Sequence, residues 1–171
     1  KLVKLEKLNP KMLEFDLEKL SSSLKIRRDK DFKYLGIQVL SDRYFIRDGG
    51  KIMETPQSFW MRVAMGLSIN EKNKNERAIE FYNLFSKFLY TPSTPTLFNS
   101  GTTHSQLSSC YLNTFDDSID GIFDGAWQEA RKSKYAGGLG LDVTPFRSTG
   151  SYISGTNGIS SGLVPWLKIF N

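Results

Sequence analysis

The chain has 171 residues, of which 39% are hydrophobic, 24% charged and 13% aromatic, enough to bury one core and too balanced for a disordered or fibrous protein. A net charge of +5 tilts it mildly toward anionic partners, but much of the excess sits in the lysine- and arginine-rich first 33 residues, which read as a solvated terminal face. A single cysteine excludes an internal disulfide framework and favours a reducing compartment. No apolar run approaches the roughly 18 residues of a membrane span, and Lys1 to Lys7 lack the apolar core of a signal peptide, so the sequence points to a cytoplasmic protein without a membrane partner.

From Lys11 to Leu24, the apolar residues Met12, Leu13, Phe15, Leu17, Leu20 and Leu24 suggest a short helix followed by a linker at Ser21-Ser22-Ser23. Asp31 to Ile46 reads as a helix capped by Asp31, with Tyr34, Leu35, Val39 and Ile46 near one face, ending at the turn Asp48-Gly49-Gly50. A short strand is expected over Lys51 to Glu54. Thr55-Pro56 then opens a helix in the preferred way, with a hydroxyl at the cap and a proline where a missing N–H is harmless. Phe59, Val63 and Leu67, widened by Trp60 and Ala64, form its core face.

The next helix is expected from Glu76 to Tyr90, with Ala78, Phe81, Tyr82, Phe85, Phe88 and Leu89 at helical spacing and Pro92 and Pro95 ending it. Such periodicity predicts burial rather than a base-stacking surface. Gly101 to Ser105 reads as a loop, and Gln106 to Phe115 as a buried strand carrying Leu107, Cys110, Tyr111 and Leu112. Asp116-Asp117-Ser118 supplies the cap of a further helix, lined on one side by Ile119, Ile122, Phe123, Ala126 and Ala130. Acid gathers at its start and base (Arg131, Lys132, Lys134) at its end, complementing the macrodipole, and Gly137 terminates it. Seven of the 14 glycines fall in the last 35 residues, so backbone requirements shape the tail.

Read from the residues alone, Cys110 is a small buried hydrophobe, because a redox disulfide needs a second thiol and the sequence holds no other. His104 has no neighbouring ligand type for a metal site, and no metal site is expected. The clusters Ala136-Gly137-Gly138-Leu139-Gly140 and Gly155-Thr156-Asn157-Gly158 admit close backbone approach by a ligand. With Lys134 and Arg147 beside the first of them, they suit a phosphorylated molecule, although neither a Walker-type loop nor G-x-G-x-x-G is present. Because the aromatics sit at core spacing and the base-rich segment is terminal, a nucleic-acid partner is not expected.

Several of these pieces occur in a telling order. Thr94-Pro95-Thr96-Leu97-Phe98-Asn99-Ser100-Gly101, Gln106-Leu107-Ser108-Ser109-Cys110, Asp116-Asp117-Ser118-Ile119, Ser133 to Gly140 and Arg147 to Gly158 together resemble the N-terminal half of the ribonucleotide reductase large (catalytic) subunit. The resemblance runs from about Phe32 to Asn171. It implies an α/β fold in which a mainly helical region, residues 1–91, precedes the first part of a ten-stranded α/β barrel, residues 92–171, left incomplete.

The resemblance further implies that Cys110 is one of two cysteines that reduce a ribonucleoside diphosphate and become a disulfide, later restored by thioredoxin or glutaredoxin. Thr94, Ser109 and Gly138, with Cys110, match positions that hold the substrate. Asp117, Ser118, Ile119, Lys134, Arg147, Ser154 and Gly155 match a specificity site for a deoxynucleoside triphosphate or ATP effector at a homodimer interface, where the Ile119 helix packs on its symmetry mate. The Ala136 to Gly140 form resembles the oxygen-dependent class I. In that class the chain binds no cofactor itself and a separate di-metal small subunit supplies the radical, with adenosylcobalamin the less favoured source. The thiyl-radical cysteine, the partner of Cys110 and the second specificity loop are expected in a C-terminal remainder, so that the chain alone is inactive. No sequence like an N-terminal activity-regulating cone precedes Phe32. The competing reading is a stand-alone deoxynucleoside triphosphate sensor without catalysis.

Overall fold

The computed structural model describes residues 1–135 and 137–170; Ala136, which opens the first glycine cluster, and Asn171 lie outside the described residues. The chain divides into two compact units, Lys1–Leu107 and Ser108–Asn171. The division falls downstream of the 91/92 boundary expected from the sequence because the segment after Pro92 packs into the first unit: the hydroxyl of Ser100 donates to the Val63 carbonyl at 2.8 Å, and Arg62 donates to the carbonyls of Ser100 and Leu97 at 2.7 and 3.1 Å.

The first unit is helical. A 3₁₀ turn (Pro10–Glu14) leads into α1 (Leu17–Ser23), where Asp16 caps the amide of Lys19; the three serines expected as linker are its last turn. A second 3₁₀ turn (Ile26–Asp31) precedes α2 (Tyr34–Val39), which runs directly into a π-turn (Leu40–Tyr44). The helix expected over Asp31–Ile46 is therefore broken into pieces, and Asp31 does not cap it: Lys33 stands at the cap with no side-chain bond. Tyr34 and Leu35 are largely exposed, while Leu40 and Phe45 are buried. The wider π-turn rotates the chain, so the buried face is not the one that a 3.6-residue period selects. The Gly49-Gly50 turn joins β1 (Arg47–Asp48) to β2 (Lys51–Ile52); φ of +53° and +82° at the two glycines gives the left-handed pair that tight hairpins favour.

Helices α3 (Pro56–Ser68) and α4 (Lys74–Ser86) pack against each other to form the centre of the core. At the start of α3 the Thr55 amide donates to the Ser58 hydroxyl at 2.8 Å, and Phe59, Val63 and Ala64 are fully buried, as their spacing predicts. Fully buried Tyr82 and Gln57 form a polar chain through this core. Tyr82 accepts from the Lys25 amide and donates to Gln57, whose amide donates to Asp29, all at 2.7 to 2.8 Å, so the second 3₁₀ turn is pinned to both helices. Helix α4 ends at Ser86, short of the expected Tyr90, because the Leu89 and Phe88 amides turn back to the carbonyls of Leu84 and Phe85 in a Schellman closure, with Phe88 at φ +56°. Phe88 and Leu89 are consequently exposed. Pro95 does not end α4; it lies in the first turn of α5 (Thr94–Asn99), a helix the sequence reading did not anticipate.

The second unit is built on a parallel β-α-β element: β3 (Cys110–Thr114), α6 (Ile119–Lys134) and β4 (Gly138–Asp142). A hairpin, β5 (Tyr152–Ile153) with β6 (Gly158–Ile159), lies in the glycine-rich tail, and α7 (Val164–Leu167) follows. Among the described residues the strands form three separate two-stranded sheets and no closed barrel.

Two expectations about burial change here. Strand β3 is not buried: Cys110, Leu112 and Thr114 are exposed on one face, while Tyr111 and Asn113 on the other meet α6 through Lys132 and Glu129. A two-stranded sheet with a helix on one side leaves its second face open. Helix α6 also turns a different face inward, burying Ile122, Gly125 and Glu129 and exposing Ile119, Phe123 and Trp127. Gly125 explains the choice: a methyl group there would stand 2.5 Å from the Phe115 ring, so the helix approaches the strand where it has no side chain.

Candidate functional site

Parallel pairing brings the residues around Cys110 together. Cys110 lies opposite Gly138, and the Gly138 amide donates to the Ser109 carbonyl at 2.7 Å. The Ser109 hydroxyl lies 3.6 Å from the Cys110 sulfur. A methyl group on Gly138 would sit 3.2 Å from the Ser109 carbonyl and 3.7 Å from the sulfur, so glycine keeps the space beside the thiol clear. The thiol is exposed, as disulfide exchange requires and as the buried reading of this residue did not foresee. Thr94 belongs to the first unit, where it is the first residue of α5; its hydroxyl lies 3.2 Å from that of Tyr44.

A second group of sequence-selected residues converges on one cavity of about 280 Å³, close to the lower end of the range for small-molecule sites. Asp117, Ser118, Ile119, Arg147, Ser154 and Gly155 all line it. Lys134 does not: it ends α6, whose 16 residues at 1.5 Å each place it about 24 Å from Ser118. Local structure accounts for the convergence. Ser118 caps α6 by accepting from the Gly121 amide at 3.0 Å, which fixes Asp117 and Ile119 at the helix start, and the β5–β6 hairpin carries Ser154 and Gly155 to the same place.

The cavity's charges are arranged in a way the sequence did not disclose. Arg147 Nε donates to Asp117 Oδ2 at 2.5 Å, and a second guanidinium nitrogen donates to the Asp117 carbonyl at 3.2 Å. The cation expected to meet phosphate and an acid expected in the same effector site are thus each other's partners. A polyanion entering the cavity competes with Asp117 for Arg147. Sequence reasoning also missed Ile122, Phe146, Ile153, Ser160 and Trp166 in the lining; Ile122 lies one turn into α6 and Phe146 beside Arg147, while the hairpin and α7 bring round the other three.

Beneath the sheet, buried Glu129 accepts from the Asn113 amide group and from Lys132 at 3.1 Å, while its second carboxylate oxygen has no partner among the described residues. Among the described residues, no three of His, Cys, Asp and Glu gather in a metal-holding arrangement, and no helix is long and apolar enough to cross a membrane.

Residues 30–105 match the family model described as the ribonucleotide reductase all-alpha domain, and residues 108–171 match that of the ribonucleotide reductase barrel domain. The chain is 54% identical to the ribonucleoside-diphosphate reductase subunit alpha of Chlamydia muridarum over 96% of its own length and 16% of that relative. It is 48% identical to the corresponding subunit of Helicobacter pylori, over 92% of the chain and 20% of the relative. With the ribonucleoside-diphosphate reductase large subunit of Vaccinia virus it shares 46% identity, over 90% of the chain and 20% of the relative. It therefore spans a fifth or less of the length of these curated relatives.

Proposed function

The chain belongs to the ribonucleotide reductase large-subunit family, and from that premise we propose that it supplies part of the substrate site and much of an effector site to a ribonucleoside-diphosphate reductase in the cytoplasm. The observation that carries the reading is the cavity itself: six residues selected from motifs between Asp117 and Gly155 line one space that contains both an acid and an arginine. A deoxynucleoside triphosphate or ATP suits that space, with Arg147 meeting phosphate and Asp117 a sugar hydroxyl.

On the substrate side, Cys110 and a second cysteine from the remainder of the subunit reduce a ribonucleoside diphosphate. The 2′-hydroxyl leaves as water, the two thiols become a disulfide, and the deoxynucleotide takes up the two electrons. Thioredoxin or glutaredoxin restores the thiols by exchange at the exposed Cys110 sulfur. Ser109, Gly138 and Thr94 hold the substrate through hydroxyl and amide groups. The initiating radical comes from a separate di-metal small subunit, and the exposed Ile119, Phe123 and Trp127 stripe of α6 supports homodimerisation.

The chain, combined with the remainder of a large subunit and a radical-generating small subunit, is expected to convert ribonucleoside diphosphate to deoxynucleotide. A well-assembled but inactive mixture would refute the proposal. The second reading, a free-standing sensor of deoxynucleoside triphosphates, is favoured by one observation: the six cavity residues all lie in the second unit. Titration calorimetry on the chain alone separates the two, since micromolar, base-selective binding without any other subunit fits a sensor.

A further inference from the structure

Three features of the structure converge on Tyr44. It is the last residue of the π-turn Leu40–Tyr44, whose closing bond runs from the Phe45 amide to the Leu40 carbonyl at 3.0 Å. Its ring lies 4.6 Å from that of Phe98 on α5, tilted by 33°. Its hydroxyl stands 3.2 Å from that of Thr94. The extra residue in the turn sends Phe45 into the core and leaves Tyr44 facing α5; π-turns are frequent where a side chain must be aimed.

We infer that Tyr44 is a positioning residue for Thr94, orienting its hydroxyl toward an anionic oxygen of the ribonucleoside diphosphate. The inference rests on the reading of Thr94 as a substrate-binding residue. Thr94 has to donate its one hydroxyl proton outward to bind such an oxygen. Tyr44 then donates to a Thr94 lone pair, which fixes the threonine hydroxyl and polarises it, because hydrogen bonds in a chain strengthen one another. Phe98 holds the tyrosine ring against α5, so the phenol does not swing away.

Tyr44→Phe keeps the ring and removes only the hydroxyl. In the reductase assembled with this chain, KM for the diphosphate is expected to rise about three- to tenfold, the loss of one ordinary hydrogen bond, with kcat within about twofold of the parent and an unchanged melting temperature. Thr94→Val is expected to raise KM at least as far, and adding Tyr44→Phe to it to change nothing more, because the tyrosine acts only through the threonine. Thr94→Ser, which keeps a hydroxyl, retains the dependence on Tyr44. A parental KM in Tyr44→Phe while Thr94→Val is impaired overturns the inference and leaves the reading of Thr94 standing, as does strict additivity of the two. A parental KM in Thr94→Val removes both.

Discussion

Arg62 and Glu54 form a pair that no periodicity announces: each side chain is 4% exposed, and Nε lies 2.6 Å from the carboxylate. The guanidinium also donates to the carbonyls of Ser100 and Leu97, while the second Glu54 oxygen accepts from the Ile46 amide at 2.9 Å. Arg62→Met alone strands a buried carboxylate and is expected to cost about 3–5 kcal/mol in urea unfolding, with most of that regained when Glu54→Gln is added. The Asp117–Arg147 pair differs, being 26% and 35% exposed on its two side chains. Asp117→Asn frees the arginine and is expected to raise affinity for inorganic tripolyphosphate about fivefold, as suits a partly screened pair, while weakening deoxynucleoside triphosphate binding; calorimetry with the two ligands reads the difference. The sequence singled out Asp117 and Arg147 without disclosing that they meet. Asp117 and Arg147 lie 30 positions apart, and the parallel pairing of β4 with β3, which sets Asp142 opposite Thr114, returns the chain to the start of α6.

Caps and turns proved to be the legible part of the elements. Thr55-Pro56, Ser118 and Gly49-Gly50 each act where the sequence placed them, because capping and left-handed turns depend on a few adjacent residues. Faces and ends were less legible: the π-turn after α2, the Schellman closure at Phe88 and the Gly125–Phe115 contact all redirect a helix by means that periodicity does not encode. Gly66 presents another such constraint. A methyl group there would fall 2.1 Å from the Gly101 amide nitrogen, so Gly66→Ala is expected to destabilise the protein by about 3 kcal/mol or more, read as a fall in the urea midpoint.

The docking of the N-terminal segment on α4 has a predictable pH dependence. Hydrogen bonding and charge from Lys74 hold the Glu14 carboxyl below its ordinary value, and a hydrogen bond from Lys19 does the same for Glu76. Stabilisation from a depressed carboxyl is present above its unfolded value and disappears as pH falls through the folded one. Protection of the α1 amides, with the intrinsic pH dependence of exchange divided out, should therefore fall below about pH 4, the ordinary glutamate range, before that of α3 does.

For the molecule as a whole, the helical first unit follows from the sequence pattern, whereas an α/β second part is implied by the family resemblance and its strand β4 is legible in the sequence only as a glycine cluster. The matched all-alpha and barrel domain families divide the chain near the boundary of the two units, between residues 105 and 108. What local pattern did not reveal is the open face of β3. An apolar strand reads as buried, but a pair of parallel strands covered by one helix leaves Leu112 86% exposed, together with the Cys110 thiol. On the proposed account that open face belongs to the substrate side of a larger barrel. The most direct measurement is a single-turnover reaction of the assembled reductase without external reductant, followed by alkylation and mass spectrometry of Cys110. For each deoxynucleotide formed, one Cys110 is expected to become resistant to alkylation and to be recovered in a disulfide with a second cysteine of the large subunit. Deoxynucleotide formation with Cys110 still fully alkylated would contradict it.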